Sequence, residues 1–295
     1  MARFSEDMLN NWRMPPSDAE ETKLSNAQRL VNEAIAASST LKNMSIRVFG
    51  QGSYANDTNV RLNSDVDINV QYSHTFFSQL PPGKQDSDFG LISSDYTFGE
   101  FKNTVEAALV AKFGRADIVR HDKCITVLAS NNRVEADVVP TFQHRRYVMD
   151  GSYTIGTEFI SDSGATVINF PEQHIANGKV KNGNTQKRFK RLTRIYRRIR
   201  YRMIDEKIGI SKNITSFLLE CLVWNVPNHI LNDNHSWTDR TRESINYLYH
   251  ATKDNSSCAE WGEVSELLYL FKGGRKWSRE EVNNYLQQMW NYLEF

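Results

Sequence analysis

The chain has 295 residues, 40% of them hydrophobic and 24% charged, and a formal net charge of +1. That length can bury a substantial core in one large domain or two lobes, and the composition excludes extended disorder. Charge near neutrality gives no global reason to expect binding to nucleic acid or to a membrane. No stretch approaches a transmembrane span, and Met1-Ala2-Arg3-Phe4-Ser5-Glu6-Asp7 lacks the apolar core of a signal peptide, so a cytoplasmic protein is expected. Cys124, Cys221 and Cys258 lie far apart, which points to reduced, packed thiols instead of a disulfide framework or a Cys-X-X-Cys zinc site.

Residues 18 to 37 carry apolar side chains at helical spacing and predict a helix, and Ser45 to Phe49 predict a strand leading into the turn Gly52-Ser53. Val66, Ile68 and Val70 supply one apolar face of the next strand, and the period of two throws Asp65, Asp67 and Asn69 onto the other. Turn chemistry makes residues 81 to 88 a surface loop, and Phe98 to Phe113 form an amphipathic helix. Cys124 to Ala129 and Arg133 to Val139 pair around Ser130-Asn131-Asn132, the second of these strands ending at Pro140 because proline is disfavoured inside a central strand. Beyond Gly164 the strand signals fade. Helices are expected at about 185 to 206, 213 to 225, 238 to 252, 260 to 271 and 278 to 293. The expected fold is α+β, with a sheet lobe over residues 1 to 165, including the N-terminal helix, and a helical lobe over 166 to 295.

The first of those late helices is basic: Lys187 to Arg202 hold nine Lys or Arg among sixteen residues and no acid. Phe189, Leu192, Tyr196, Ile199 and Met203 fall on one stripe, with Lys190, Arg191, Arg194, Arg197 and Arg198 opposite. The cationic face reads either as a solvated surface or as a grip on phosphate, since guanidinium groups pair bidentately with phosphate oxygens. Acids gather later, at Glu260, Glu263, Glu266, Glu280, Glu281 and Glu294.

Asp65 and Asp67, about 6 to 7 Å apart along one strand, suit a pair of divalent cations. Magnesium fits because it takes a few carboxylates and fills its other positions with water and phosphate oxygens. An isolated Asp-X-Asp is also what the wet face of a half-buried strand carries. Asp137 on a second strand supplies a third acid, and the Gly52-Ser53 turn permits close approach of backbone amides and a hydroxyl to a phosphate. Together they have the layout of a nucleotide-transferring metal site.

These motifs resemble the cGAS/DncV-like nucleotidyltransferases (CD-NTases) of the DNA polymerase β superfamily, and in particular their bacterial CdnE-type branch. The carriers are Gly50-Gln51-Gly52-Ser53-Tyr54, Asn63-Ser64-Asp65-Val66-Asp67, Ala136-Asp137-Val138-Val139, Asn169-Phe170-Pro171 with His174 and Asn177-Gly178, and Ser216-Phe217-Leu218-Leu219-Glu220-Cys221-Leu222 with Asn225-Val226-Pro227. The resemblance spans nearly the whole chain, and it implies a polymerase-β-like sheet lobe, a C-terminal helical lobe and an active site in the cleft between them. It makes Asp65, Asp67 and Asp137 the catalytic acids and ligands of Mg²⁺, for which Mn²⁺ substitutes, with Asp137 assisting deprotonation of a 3′-hydroxyl. Gln51, Gly52 and Ser53 are then nucleotide-binding, as is Ser216, which opens the helix following the basic one. The family's triphosphate-holding lysine falls on Arg197 here, with Arg194 and Lys190 as substitutes. Phe217 stands where the family stacks an aromatic ring on a base, although its apolar helix also suits core burial.

Asn169 offers both a donor and an acceptor, which match the N3–H and O4 of uracil, and in the CdnE-type branch this asparagine accompanies pyrimidine incorporation. A turn-capping role for Asn169 is the alternative. His174, with no second ligand at metal spacing, reads as a structural hydrogen-bonding residue. The implied activity is synthesis of a cyclic dinucleotide containing uridine, from UTP and ATP, as a bacterial second messenger that activates a separate effector against phage. A monomer is expected, with no membrane and no obligate nucleic-acid partner. Two other readings stay open: nucleotidyl transfer to an antibiotic, a protein or an RNA end, and a nucleic-acid-binding module that uses the basic helix.

Overall fold

A computed structural model of the chain describes residues 2–60 and 66–295, without the side chains of residues 18–20. Asp65 therefore lies outside the described residues. In chain order the elements are α1 (Glu6–Trp12), α2 (Asp18–Ala37), β1 (Ile46–Gln51), α3 (Gly52–Ala55), β2 (Val66–Gln79), α4 (Phe98–Phe113), β3 (Ile118–Arg120), β4 (Ile125–Val127), β5 (Ala136–Tyr147), β6 (Tyr153–Ile160), β7 (Thr166–Asn169), α5 (Pro171–Asn184), α6 (Arg188–Asp205), α7 (Ser216–Trp224), α8 (Asn228–Asp233), α9 (Trp237–Ala251) and α10 (Arg279–Leu293). They fall into two compact units. A sheet unit comprises Ser17–Ala55 and Ser64–Pro171, and a helical unit comprises Met1–Pro16, Asn56–Asn63 and Glu172–Phe295.

The sheet unit is built on a seven-stranded sheet in the order β1-β2-β5-β4-β3, with β6 pairing β5 and β7 pairing β6. The apolar stripes of α2 (Leu24, Ala27, Val31) and α4 (Phe101, Val105, Leu109) are buried in one core with Val66, Ile68 and Val70 of β2 and Ala136 and Val138 of β5. The α4 stripe starts at a capping box in which Thr97 and Glu100 satisfy each other's backbone amides. The core strands β2 and β5 run parallel, placing Asp67 opposite Asp137.

Pro140 does not end β5, which continues to Tyr147. The reason lies in its neighbours: β4 pairs β5 only through residues 136 to 138 and β6 only from Phe142 onward. Pro140 thus sits where no described strand pairs on that side, and its missing N–H leaves no ladder bond broken. The strand content also outlasts Gly164, since Thr166–Asn169 form a short edge strand against β6.

In the helical unit, Phe189, Leu192, Tyr196, Ile199 and Met203 of α6 pack with Leu218, Leu219 and Leu222 of α7, Ile245 and Leu248 of α9, and Val282, Leu286 and Met289 of α10. The α1 helix is tied to this core by Glu6, whose carboxylate accepts the N–H groups of Trp237 and Thr238 at the start of α9. The helix expected over 260 to 271 does not form. Its apolar positions mimic a helical period, but the chain doubles back: the Leu270 N–H donates to the Trp261 carbonyl (2.7 Å), the Glu263 N–H donates to Leu268 (2.9 Å), and Glu266 turns with φ of 59°. Among the described residues, no helix is long and apolar enough to cross a membrane.

Candidate active site

In the sheet unit, Asp67 and Asp137 are in-register partners on adjacent parallel strands, so their side chains leave the same face of the sheet at about the 4.8 Å strand spacing. The Asp137 carboxylate is oriented by Thr126, whose hydroxyl donates to Oδ1 at 2.5 Å from the antiparallel neighbour β4. Asp67 is covered by Gly52. The glycine adopts φ of +64°, and a Cβ there would stand 2.0 Å from Asp67 Oδ2, so any side chain would displace the carboxylate. Burial, followed by the charge and hydrogen bond of Asp137 and lastly the charge of Asp67, pushes the Cys124 thiol up to about 12.

Two hard oxygen donors held in register beneath a glycine fit a divalent cation. Among the described residues no group of three or more His, Cys, Asp or Glu forms a metal cluster, and the third acid of the motif, Asp65, is outside them. Beyond Asp67 the same face of β2 carries Asn69, whose amide donates to Gln51 Oε1 (3.1 Å) and accepts from the Thr141 hydroxyl (2.8 Å). Gln51 is therefore engaged by the strand behind the Gly-Ser turn, while Ser53 follows Gly52 in α3, half-buried.

Asn169 ends β7. Its backbone carbonyl accepts the Thr157 hydroxyl at 3.4 Å, and its side-chain amide has no hydrogen-bond partner among the described residues. Among the described residues the amide thus caps no turn.

In the helical unit, the cationic face of α6 is divided. Lys190, Arg194 and Arg197 are buried, whereas Arg191 and Arg198 are only half-buried. The buried face meets the segment Asn56–Val60. Arg194 donates to the Asp57 carbonyl (2.6 Å), the Asp57 carboxylate (2.5 Å) and the Arg13 carbonyl (3.1 Å). Arg197 donates from one terminal nitrogen to the Thr58 carbonyl at 3.0 Å, and its buried Nε has no partner among the described residues. Burial lowers the Lys190 ammonium, opposed by the charges of Asp57 and Glu220.

One turn beyond Arg197, the Tyr201 hydroxyl lies 3.3 Å from Ser216 Oγ. Burial works to raise this phenol, but the charge of Arg197 and the bonds to Ser216 and Arg197 prevail and lower it. Arg197, Tyr201 and Ser216 thus form one polar cluster. Next to Ser216, Phe217 is 36% exposed, so it is not a core residue despite its apolar helix; its ring lies 5.7 Å from His174 and 6.3 Å from Trp277. His174 bonds Glu220 through Nε2 (3.1 Å), and Glu220 in turn accepts the Thr58 hydroxyl (3.0 Å), so the histidine belongs to a buried hydrogen-bonded chain.

Thr126, Tyr201 and Thr58 did not stand out in the sequence. Thr126 was findable from the hairpin around residues 130 to 132, which puts β4 beside Asp137, and Tyr201 from its i+4 spacing to Arg197. Thr58 carried no signal, because its partner lies 162 residues away.

Residues 176–294 match the model of the cGAS/DncV-like nucleotidyltransferase C-terminal helical domain. The chain is 58% identical over its full length, and over the full length of the other protein, to the cyclic dipyrimidine nucleotide synthase CdnE of Cecembia lonarensis. Its structure is similar to that of the CdnE cyclic dinucleotide synthase of Elizabethkingia meningoseptica with GTP and Apcpp (TM-score 0.84, 35% identity, 99% of this chain and 100% of that one). It is likewise similar to the Rhodothermus marinus CdnE c-UMP-AMP synthase with Apcpp and Upnpp (TM-score 0.85, 29% identity, 97% of this chain and 95% of that one).

Proposed function

This chain belongs to the cGAS/DncV-like nucleotidyltransferases, and on that premise we propose that it joins nucleoside triphosphates, UTP among them, into a cyclic dinucleotide that serves as a second messenger. The observation that carries the chemistry is the in-register pair Asp67 and Asp137 beneath Gly52. With Asp65 they are the residues that would hold divalent cations, Mg²⁺ or Mn²⁺, which when bound would supply Lewis acidity to the α-phosphate and the pyrophosphate leaving group. The chain's own part is positioning. Asp137, fixed by Thr126, takes the proton of the attacking 3′-hydroxyl as that oxygen bonds to the α-phosphorus and pyrophosphate departs. In the sheet unit Gly52 and Ser53 offer hydrogen-bond donors to a triphosphate, and in the helical unit the cluster of Arg197, Tyr201 and Ser216 offers phosphate oxygens a charge-assisted contact. Phe217 supplies an exposed ring for a base to stack on. A second transfer of the same kind closes the ring.

Base choice rests on Asn169. The similar synthases named above differ in the bases of their products or ligands, so residues at the base decide the product. The Asn169 amide, without a hydrogen-bond partner among the described residues, pairs with N3–H and O4 of uracil, which favours a uridine-containing product. By the family resemblance the product activates a separate effector in defence against phage. The reading of α6 as a nucleic-acid surface loses Lys190, Arg194 and Arg197, which are buried.

Incubation with all four ribonucleoside triphosphates and Mg²⁺ or Mn²⁺, followed by mass spectrometry of phosphatase-resistant products, tests the proposal. A cyclic product with one or two uridines is expected from the parent, a shift toward adenine from Asn169→Ser, and none from Asp67→Asn. Purine-only product from both parent and Asn169→Ser removes the base assignment, and synthesis near the parental level by Asp67→Asn removes the metal-site assignment.

A further inference from the structure

We infer that Gly156 is a specificity-positioning residue, setting where the Asn169 amide stands relative to the strand that carries Asp67; the inference rests on the reading of Asn169 as the uracil-recognising side chain. Gly156 lies within β6, paired with His144 of β5. Its backbone is outside the left-handed region, so conformational freedom does not explain a glycine here. Space does. A Cβ at this position would meet the Asn169 carbonyl oxygen at 2.6 Å and two carbons of the Phe170 ring at 2.9 Å. The first of these is backbone and cannot rotate aside. The second is hemmed in, since the Phe170 ring has the edge of His144 at 5.6 Å and the Arg146 guanidinium at 4.6 Å from its centroid.

The carbonyl of Gly156 is held as firmly as its α-carbon. It accepts the side-chain amide of the buried Gln71 at 3.0 Å. Gln71 continues the face of β2 that bears Asp67 and Asn69, so one hydrogen bond and one close backbone packing connect the strand of Asp67 to the last residue of β7. An alanine at 156 must open the 2.6 Å contact to an ordinary one, moving the Asn169 backbone by about 0.8 Å. Hydrogen bonds span only about 2.7 to 3.2 Å between heavy atoms, so a displacement of that size breaks a two-point contact with a base while leaving the remaining machinery of the sheet in place.

The test compares Gly156→Ala, Gln71→Met and Asn169→Ser with the parent, reading the dissociation constants of non-hydrolysable UTP and ATP analogues and the base composition of the product from an equimolar mixture of nucleotides. Gly156→Ala is expected to weaken the UTP analogue about tenfold, the equivalent of one or two neutral hydrogen bonds, with the ATP analogue little changed and the product moved toward purines. Gln71→Met, which removes the donor without changing volume greatly, is expected to move the same ratio in the same direction by a smaller factor, and it decides the matter if the alanine variant does not fold. A loss common to both analogues, with the ratio unchanged, overturns the inference, because a merely structural glycine gives that result. If Asn169→Ser alters base choice and neither other variant does, Asn169 remains the base reader and the positioning role falls. If none of the three alters it, both fall.

Discussion

Arg194 and Arg197 lie nearly one turn apart on α6 and carry the same charge, but their surroundings assign them different work. Arg194 donates to the carboxylate and carbonyl of Asp57 and to the carbonyl of Arg13, so its loss leaves two carbonyls of the helical unit without their donor and the exposed Asp57 carboxylate without its ion pair. Arg197 spends one nitrogen on Thr58 and adjoins Tyr201 and Ser216, while the buried Nε of both arginines has no partner among the described residues. Arg197→Ala is therefore expected to raise the Michaelis constant for nucleotide by roughly ten- to a hundredfold, the worth of a charge-assisted contact of about 1.5 to 3 kcal/mol, and Arg197→Lys by less. Arg194→Ala is expected to show itself chiefly as a lower melting temperature. Steady-state kinetics beside thermal unfolding separates the two, and a larger kinetic effect from Arg194→Ala would reverse the assignment. The sequence made this face legible as cationic. It did not tell a buried face from a wet one, because the covering segment Asn56–Val60 stands far earlier in the chain, Asp57 being 137 residues before Arg194, and helical periodicity carries no long-range information.

Among the elements, those that declare themselves by local physics were the legible ones. The twenty residues of α2 and the sixteen of α4 bury one apolar stripe each and lie where their periodicity puts them. The length of β5 past Pro140, the edge strand β7 and the reversal at 261 to 270 depend on which strand or loop stands alongside, and no window of residues contains that. The short segment 56–60 is the clearest case. Thr58 is fully buried, donating its hydroxyl to Glu220, whose other oxygen is held by His174. Thr58→Val keeps the shape and leaves a buried carboxylate short of one partner, so it is expected to cost about 1 to 3 kcal/mol in urea unfolding, while Thr58→Ser retains the bond and costs less. A valine variant as stable as the parent would mean that the Glu220 bond contributes nothing to holding this segment.

Over the whole molecule, a net charge of +1 conceals a basic and an acidic block, each of which the fold buries only in part. Lys190, Arg194 and Arg197 of the basic block are buried on α6, and of the late acids Glu263 pairs with Arg275 at 2.8 Å while Glu260 pairs with Lys272 at 2.6 Å. Glu263 is the one whose environment has a readable consequence for stability. Burial, only partly offset by Arg275 and then His174, raises its carboxyl from the ordinary 4.5 to about 6. The folded chain thus binds this proton more tightly than the unfolded chain, and it holds more protons in the window between those two values. Stability from this group is fully present below about pH 4.5 and is lost as pH rises through about 6. Glu263→Gln removes the titration, while the other ionisable groups remain in both proteins and cancel in the difference. The unfolding free energy of the parent minus that of the variant is expected to grow by about 2 kcal/mol as pH falls from 7 to 4.5, measured by urea denaturation. A difference that stays level, or shrinks toward acid, would show that the Arg275 ion pair outweighs burial at this site and that the charged carboxylate is the form the fold prefers.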